Sequence, residues 1–284
     1  YIASPNAFHY EQSRMMLEQQ IQMSGNAYAS RRAGASYSPK GAVQEPVGGI
    51  RYLRAHAEEL NIQADRLGCY GHSLGGNSTL MAAVSGGEEA LEGTVGGNLD
   101  QSSRLQAISV GYGWSDLLNF GKDLTEEYKD YPEDIRKMKF ENTDGPTAPA
   151  AEVIGFSGPG KGIKVLRDYR DGGHMGEDPE MDRMVKLAED CSPVNHIAPD
   201  SPPVALFGGL GMVMVDIPYK QSERTFEQYQ RYDADSFLFC NTNGRYGRTY
   251  PVVQGLAASF DHYLRSEPDY PKAVLKPGAT QVVE

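Results

Sequence analysis

The sequence predicts an α/β fold, a mainly parallel sheet flanked by helices. Three observations predict it. Short apolar runs alternate with amphipathic stretches in a strand–helix rhythm, which is the pattern of parallel strands joined by crossover helices. The 284 residues suffice for one large core, and open α/β folds commonly reach this length as a single domain. One strand run leads straight through Gly71-His72-Ser73-Leu74-Gly75-Gly76 into a helical run, a junction too tight for an ordinary loop.

Taken in order, residues 9–23 read as a helix with Met16, Leu17, Ile21 and Met23 as its apolar members, and Asn26–Ser30 as a short strand. Val43, Val47, Ile50, Leu53, Ala57 and Leu60 recur at three- and four-residue steps, predicting an amphipathic helix over 42–60 with Pro46 near its first turn. Arg66–Tyr70 reads as a strand, 74–85 as a helix and Leu105–Gly111 as the next strand. Between 115 and 200 the rhythm breaks. This stretch is rich in charge, Gly and Pro, with one clear helical patch at 179–190, and reads as a helical cap inserted after a strand. The rhythm resumes with a strand at Val204–Phe207, a helix over 219–231, a strand at Ser236–Cys240 and a helix over 251–265, and the tail reads as extended. The expectation is one domain over 1–284 with a cap-like insertion at about 115–200.

Composition narrows the function. The net charge of −11 repels phosphate backbones and anionic lipid, so nucleic acid and membrane surfaces are not expected partners. No apolar run approaches the ~20 residues that a membrane helix needs. Cys69, Cys191 and Cys240 have no CxxC spacing and an odd total, which argues for reduced thiols and a cytoplasmic protein rather than a disulfide framework or zinc site. The chain begins at Tyr1 without Met, so removal of a signal segment, and hence secretion, stays open.

The chemistry concentrates at Ser73. A serine between a strand and a helix turns so sharply that its hydroxyl is lifted over the sheet, with small residues two positions either side letting helix and strand approach. The helix N-terminus presents free N–H groups and partial positive charge to the reacting oxygen. The Leu74 N–H is the expected oxyanion donor.

The run IRYLRAHAEELNIQADRLGCYGHSLGGNSTLMAA resembles the esterase branch of the α/β-hydrolases, the hormone-sensitive-lipase-like and feruloyl-esterase-like enzymes. CSPVNHIAPDSPPVALFGG followed by IPYKQSERTFEQY resembles the segment carrying that branch's catalytic acid. The resemblance implies the α/β-hydrolase fold and a serine hydrolase acting on a small-molecule ester with no cofactor or metal.

Three departures accompany it. An HGGG-like oxyanion loop belongs roughly 70 residues before the serine, where this chain has Ala3-Ser4-Pro5-Asn6-Ala7. Pro5 has no N–H, so Asn6 or Ala7 must supply a second donor, and the sheet's first strands are expected upstream of Tyr1 or to be absent. The family's HGxxD acid position falls at Met212 in Gly208-Gly209-Leu210-Gly211-Met212. Asp216 is the nearest carboxylate, with Asp116 the other candidate or a helix cap. The GHG-type turn carrying the base is replaced by Asn241-Thr242-Asn243-Gly244-Arg245-Tyr246-Gly247, which places Tyr246 where the histidine stands.

Of the six histidines, His72 lies inside the elbow and faces substrate or its neighbours, and His9 follows the oxyanion segment and is a candidate site residue. His56 and His262 read as structural, His174 as a cap-loop residue and His196 as packing. The alternative to hydrolysis is a hydrolase-fold protein with a degenerate triad. It would bind a small ligand or catalyse an elimination or cyclisation with Tyr246 as acid/base. Gly155–Gly162 lacks the hydroxyl of a phosphate loop, and GEDPEMD lacks ligand spacing for calcium, so both read as surface loops.

Overall fold

Five parallel strands form one sheet in the order β1-β2-β3-β4-β5: Gly68–His72, Ala107–Gly111, Val204–Gly209, Ser236–Asn241 and Thr280–Val283. The computed structural model describes residues 39–210, 217–241, 250–265 and 280–283. The expected helix at 9–23 and strand at Asn26–Ser30 lie outside the described residues, as do Asn6, His9, Asp216 and Tyr246.

Successive strands lie side by side and all run the same way, so each crossover must cover a face of the sheet. Register is set by side-chain alternation. Ile108, Val110, Val204, Leu206, Leu238 and Cys240 point into one core, and Ala205, Phe207, Phe237 and Phe239 into another on the opposite face. The first core is closed by α1 (Pro39–Ala55), α2 (Leu74–Val84) and α9 (Tyr219–Arg231). The second is closed by α10 (Tyr250–Arg265), whose Phe260 and Leu264 press on Gly68 and Ala107. Helix α2 is apolar almost all round and buried from Gly76 to Val84 except at Ser78, as a helix wedged between a sheet and α1 must be.

Helix α1 ends five residues before the expected position 60. The chain continues through hydrogen-bonded turns that include Asn61 at φ 52°. Pro46 is an interior residue of this helix rather than a first-turn one. The strands at 66–70 and 105–111 begin later than the apolar runs suggest, because Leu67 and Gln106 are joined by a side-chain bond from the Leu67 N–H to the Gln106 Oε1 before the ladder starts.

The short α3 (Glu89–Glu92) precedes β2, and between β2 and β3 the chain forms five α-helices. They are α4 (Phe120–Glu127), α5 (Glu133–Thr143), α6 (Pro149–Val153), α7 (Ile163–Asp171) and α8 (Pro179–Asp190), followed by a 3-10 turn at Pro193–Asn195. They enclose their own apolar cluster, built on Leu117, Phe120, Ala151, Ile163, Leu166 and Val185. An Asp144–Arg167 pair lies inside this layer. Arg167 donates to both Asp144 oxygens at 2.8 and 2.6 Å and to the Leu118 carbonyl at 3.0 Å. Arg224 of α9 holds Asp123 of α4 in the same two-pronged way, and Gln221 of α9 joins the set by donating to Asp123. These bonds tie the inserted helices to a helix of the sheet layer.

Candidate active site

Ser73 sits between the last residue of β1 and the first of α2, at φ 60°, ψ −123°. A side chain in that region costs on the order of 1–3 kcal/mol. The surroundings hold it there. The Ser73 N–H donates to the Gly111 carbonyl of β2 at 2.8 Å, and the Ser73 carbonyl accepts from the Gly76 and Asn77 N–H groups at 2.9 and 3.2 Å. One residue therefore ends a ladder and starts a helix, which leaves its backbone no relaxed alternative. Its side chain is half-buried.

The glycines around it divide unexpectedly. A Cβ at Gly71 would collide with the Gly75 carbonyl and the Thr79 hydroxyl, so helix and strand touch there. A Cβ at Gly76 would lie 2.9 Å from the Gly113 Cα, and one at Gly113 would lie 2.9 Å from the Gly76 carbonyl carbon. The reciprocal contact seals α2 against the segment after β2. At Gly75, by contrast, a Cβ meets no described heavy atom within 4 Å. Gly71, Gly76 and Gly113 thus have no room for a side chain, whereas Gly75 enters the close approach through its carbonyl. Gly113 carries no motif of its own in the sequence, whereas Asn77 opens the triplet Asn77-Ser78-Thr79, a glycosylation pattern expected to be covered at the start of the elbow helix. Asn77, 1% exposed, donates from its side chain to the Trp114 carbonyl at 3.1 Å. The visible signal was the second glycine pair, in Gly111-Tyr112-Gly113 directly after a strand.

Leu74 and Gly75 occupy the first two positions of α2, so no carbonyl of the helix lies four residues behind their N–H groups. Leu74 is 40% exposed. The His72 ring lies along β2, its Cδ2 3.0 Å from where a Gly111 Cβ would be, and its centroid is 5.3 Å from the Tyr112 ring. Of the two faces anticipated for His72, the described contacts are with its neighbours. Tyr112 has φ 52° and is buried, and its hydroxyl accepts from the Asn241 side chain, at the end of β4, at 3.4 Å. The ends of β1, β2 and β4 are thereby connected, and the Leu210 N–H, just past β3, donates to the Asn241 carbonyl.

Asp116, one of the two acid candidates, is engaged as a turn residue ahead of α4, whose N-cap position is Asn119 and not Asp116. It accepts from the Asn119 N–H and side-chain amide at 3.2 and 2.7 Å, and Arg224 stands 3.7 Å away. The other described histidines have local partners. His56 stacks on Tyr52, His174 bonds Glu177, His196 bonds the Asp190 carbonyl, and His262 packs edge-on against Tyr263. Asp178 caps α8 and Asp182 accepts from the Gly176 N–H and the Tyr169 hydroxyl, so the acidic loop is consumed by its own backbone and neighbours. The Gly155–Gly162 segment is a loop with four positive-φ glycines. Among the described residues no group of His, Cys, Asp or Glu could hold a metal ion. Burial pushes the thiols of Cys69 and Cys240 up and that of Cys191 up to about 12, which removes them as rival nucleophiles at neutral pH.

The arrangement can present one hydroxyl and adjacent helix N–H groups at the carboxyl ends of parallel strands, where open α/β sheets bind ligands. The BD-FAE family model matches residues 40–229, well over half of the chain, and spans α1, the elbow and α9. The chain belongs to the BD-FAE family. This is an α/β-hydrolase-type esterase family, so the protein is a hydrolase of the esterase branch. The matched span contains Ser73, Leu74 and Asp216 and ends before Tyr246.

Among solved structures, a truncated carbohydrate esterase from gut microbiota superposes with a TM-score of 0.56 at 18% identity, over 78% of this chain and 68% of that one. A bifunctional GH43-CE protein of Bacteroides eggerthii superposes with a TM-score of 0.55 at 19% identity, over 78% of this chain and 24% of that one. The BD-FAE chain thus spans about a quarter of the bifunctional protein. At these identities the likeness establishes the fold, the α/β-hydrolase fold. No curated protein sequence matches the chain.

Proposed function

We propose that this BD-FAE protein is a serine ester hydrolase acting on small acylated molecules, carbohydrate esters among them, with Ser73 as nucleophile. The observation that carries the reading is the left-handed backbone of Ser73 at the junction of β1 and α2. Strain of that kind persists only where surrounding structure over-determines it, and an elbow serine has no packing role that an alanine could not fill. The names of the two structural neighbours, both carbohydrate esterases or their fusions, support the substrate class.

In the proposed reaction the Ser73 Oγ adds to the ester carbonyl carbon and yields its proton to a base. The carbonyl oxygen becomes an oxyanion held by the Leu74 N–H and a second donor from Asn6 or Ala7, in a position where preorganised donors count most. The C–O bond to the alcohol breaks, the alcohol leaves with the proton, and an acyl-serine remains. Water repeats the sequence, releasing the carboxylic acid and restoring Ser73. Asp216 is the proposed acid. Tyr246 or a histidine from another part of the chain is the proposed base, with His9 the candidate that follows the Asn6 segment. The inserted helices over 115–200 act as the cap that shapes the substrate site.

The sequence after β4, which carries Tyr246 where the resemblance expects histidine, favours a second reading. A phenol with pKa ~10 is a weak base at neutral pH, so the site would bind ligand or catalyse elimination or cyclisation with Tyr246 as acid/base. Turnover of p-nitrophenyl acetate and of an acetylated xylo-oligosaccharide separates the two. The hydrolase reading expects measurable turnover that Ser73→Ala lowers by at least about 10⁴-fold. Turnover unchanged in that variant, or none in the parent protein, contradicts it. Among the described residues no helix is long and apolar enough to cross a membrane.

A further inference from the structure

We infer that Gln221 of α9 is a positioning residue for Ser73, acting through the peptide that joins Trp114 to Ser115, an inference that rests on the serine-hydrolase reading above. A trans peptide points its C=O and N–H in opposite directions, and two buried amide side chains hold this one from its two sides. Asn77 of α2, four residues beyond Ser73, donates to the Trp114 carbonyl at 3.1 Å. The Gln221 Oε1 accepts from the Ser115 N–H at 2.8 Å and from the Asp116 N–H at 2.8 Å. The Ser115 hydroxyl adds a bond to the Gln221 carbonyl at 2.7 Å. Gln221 and Ser115 are 0% exposed and Asn77 is 1% exposed, so water does not compete for these groups.

The chemistry of the contacts requires an amide at 221. Its oxygen faces two N–H donors, and its Nε2 donates to the Asp123 Oδ2 of α4 at 2.8 Å, so the partners also fix which end is oxygen. A carboxylate there would set two acceptors face to face. Methionine would fill the volume but leave two buried N–H groups without an acceptor. Arg224 closes the set by donating to the Asp123 oxygens at 2.7 and 2.6 Å.

The consequence for Ser73 comes from the other side of the peptide. The Asn77 N–H donates to the Ser73 carbonyl at 3.2 Å, and Gly76 lies against Gly113. The start of α2 is therefore seated on the segment 113–115, and that segment is seated by Gln221. Helix α9 is in turn fastened to α4, where the Glu127 Oε2 accepts from the Tyr219 N–H at 2.9 Å. Gln221 thus sets the elbow in register with α9 and with an inserted helix. The proposed acid, Asp216, precedes α9 by three residues in the sequence, so the same register aligns the nucleophile with the segment that carries its proposed acid. A misplacement of about 1 Å at a reacting atom costs on the order of 10²-fold in rate.

The test compares Gln221→Met with Tyr229→Phe, a control near the other end of α9. The buried Tyr229 hydroxyl donates to the Pro202 carbonyl at 3.0 Å, so its loss lowers Tm without touching the bonds that lead to Ser73. The readouts, taken well below each Tm, are the rate of Ser73 labelling by a fluorophosphonate, and kcat and KM on p-nitrophenyl acetate. Gln221→Met is expected to slow labelling and kcat by about tenfold or more with KM within about threefold, and Tyr229→Phe to leave all three parent-like. Asn77→Ala is expected to slow labelling as well. Adding Gln221→Met to it is expected to slow labelling by much less than the product of the two effects, because both act through one peptide. Parent-like labelling in Gln221→Met, equal slowing in Tyr229→Phe, or a double variant at the full product overturns the inference.

If Gln221→Met does not fold, Gln221→Glu takes its place. The charged groups around position 221 are Asp123 of α4, Asp116 of the segment after β2 and Arg224 of α9. Facing the Asp123 carboxylate, the introduced carboxyl keeps its proton to higher pH than an ordinary one and, while it does, can accept both N–H groups and donate to Asp123 as the amide does. Labelling relative to the parent is expected to fall as pH rises and that proton is lost, and a ratio independent of pH overturns the inference. Failure of the underlying reading looks different: the parent protein itself would neither turn over ester nor take the label on Ser73.

Discussion

Ser73 holds its backbone at φ 60°, ψ −123°, a region that glycine enters without a Cβ clash. Its geometry is imposed by the bonds to Gly111, Gly76 and Asn77 and not by any preference of serine. Ser73→Gly is therefore expected to raise the unfolding free energy by about 1–3 kcal/mol while abolishing ester turnover. A thermal melt paired with an activity assay checks it, and a lower Tm would show that the serine is not strained. The opposite sign belongs to Gly71, where any side chain displaces α2 from β1. Two neighbouring positions of one motif thus respond to substitution in opposite directions, because one glycine is missing where strain wants it and the other is present where contact demands it.

At the scale of elements, α2 is tied to the segment after β2 by a buried side chain. Asn77 reaches from α2 to the Trp114 carbonyl, and Gly76 lies against Gly113 one residue earlier. Asn77→Ala leaves that carbonyl without its donor in a dry environment, at a cost of about 1–3 kcal/mol. Chemical denaturation is expected to show a lower midpoint at unchanged slope, and an unchanged midpoint would contradict the assigned bond.

The elements themselves were unequally legible. Helix α9 was readable to the residue because Tyr219, Ser222, Thr225 and Tyr229 line one face of an otherwise polar run, and β3 and β4 were readable because parallel strands buried on both faces read as continuous apolar runs. Helices α4 to α7 were not. Helix α5 is polar along most of its length, α6 is five residues long, and their apolar members meet residues distant in sequence rather than forming a local stripe. The end of α1 was misplaced because Ala57 and Leu60 continue its period while the backbone has already turned.

For the whole molecule, the inserted layer depends on buried charge. Asp144 is 2% exposed by side chain and is neutralised by Arg167, so removing only the arginine leaves an unpaired carboxylate inside the protein. Arg167→Met alone is expected to destabilise by about 3–5 kcal/mol, and the Asp144→Leu/Arg167→Met double variant by much less. Equal losses from the two would mean that the pair matters only through its packing. The elbow was legible in the sequence because strand, serine and helix are contiguous there. The proposed acid and base were not, because Asp216 and Tyr246 lie far apart in the sequence from each other and from the elbow, and chain spacing does not say which side chain turns toward Ser73.

The central claim is that the Ser73 hydroxyl carries the acyl group. It is tested most directly by treating the intact protein with a fluorophosphonate and mapping the adduct by peptide mass spectrometry. The account expects one adduct, on the peptide containing Gly71-His72-Ser73-Leu74-Gly75, lost in Ser73→Ala. An adduct on another residue, or none in a protein that turns over ester, would contradict it.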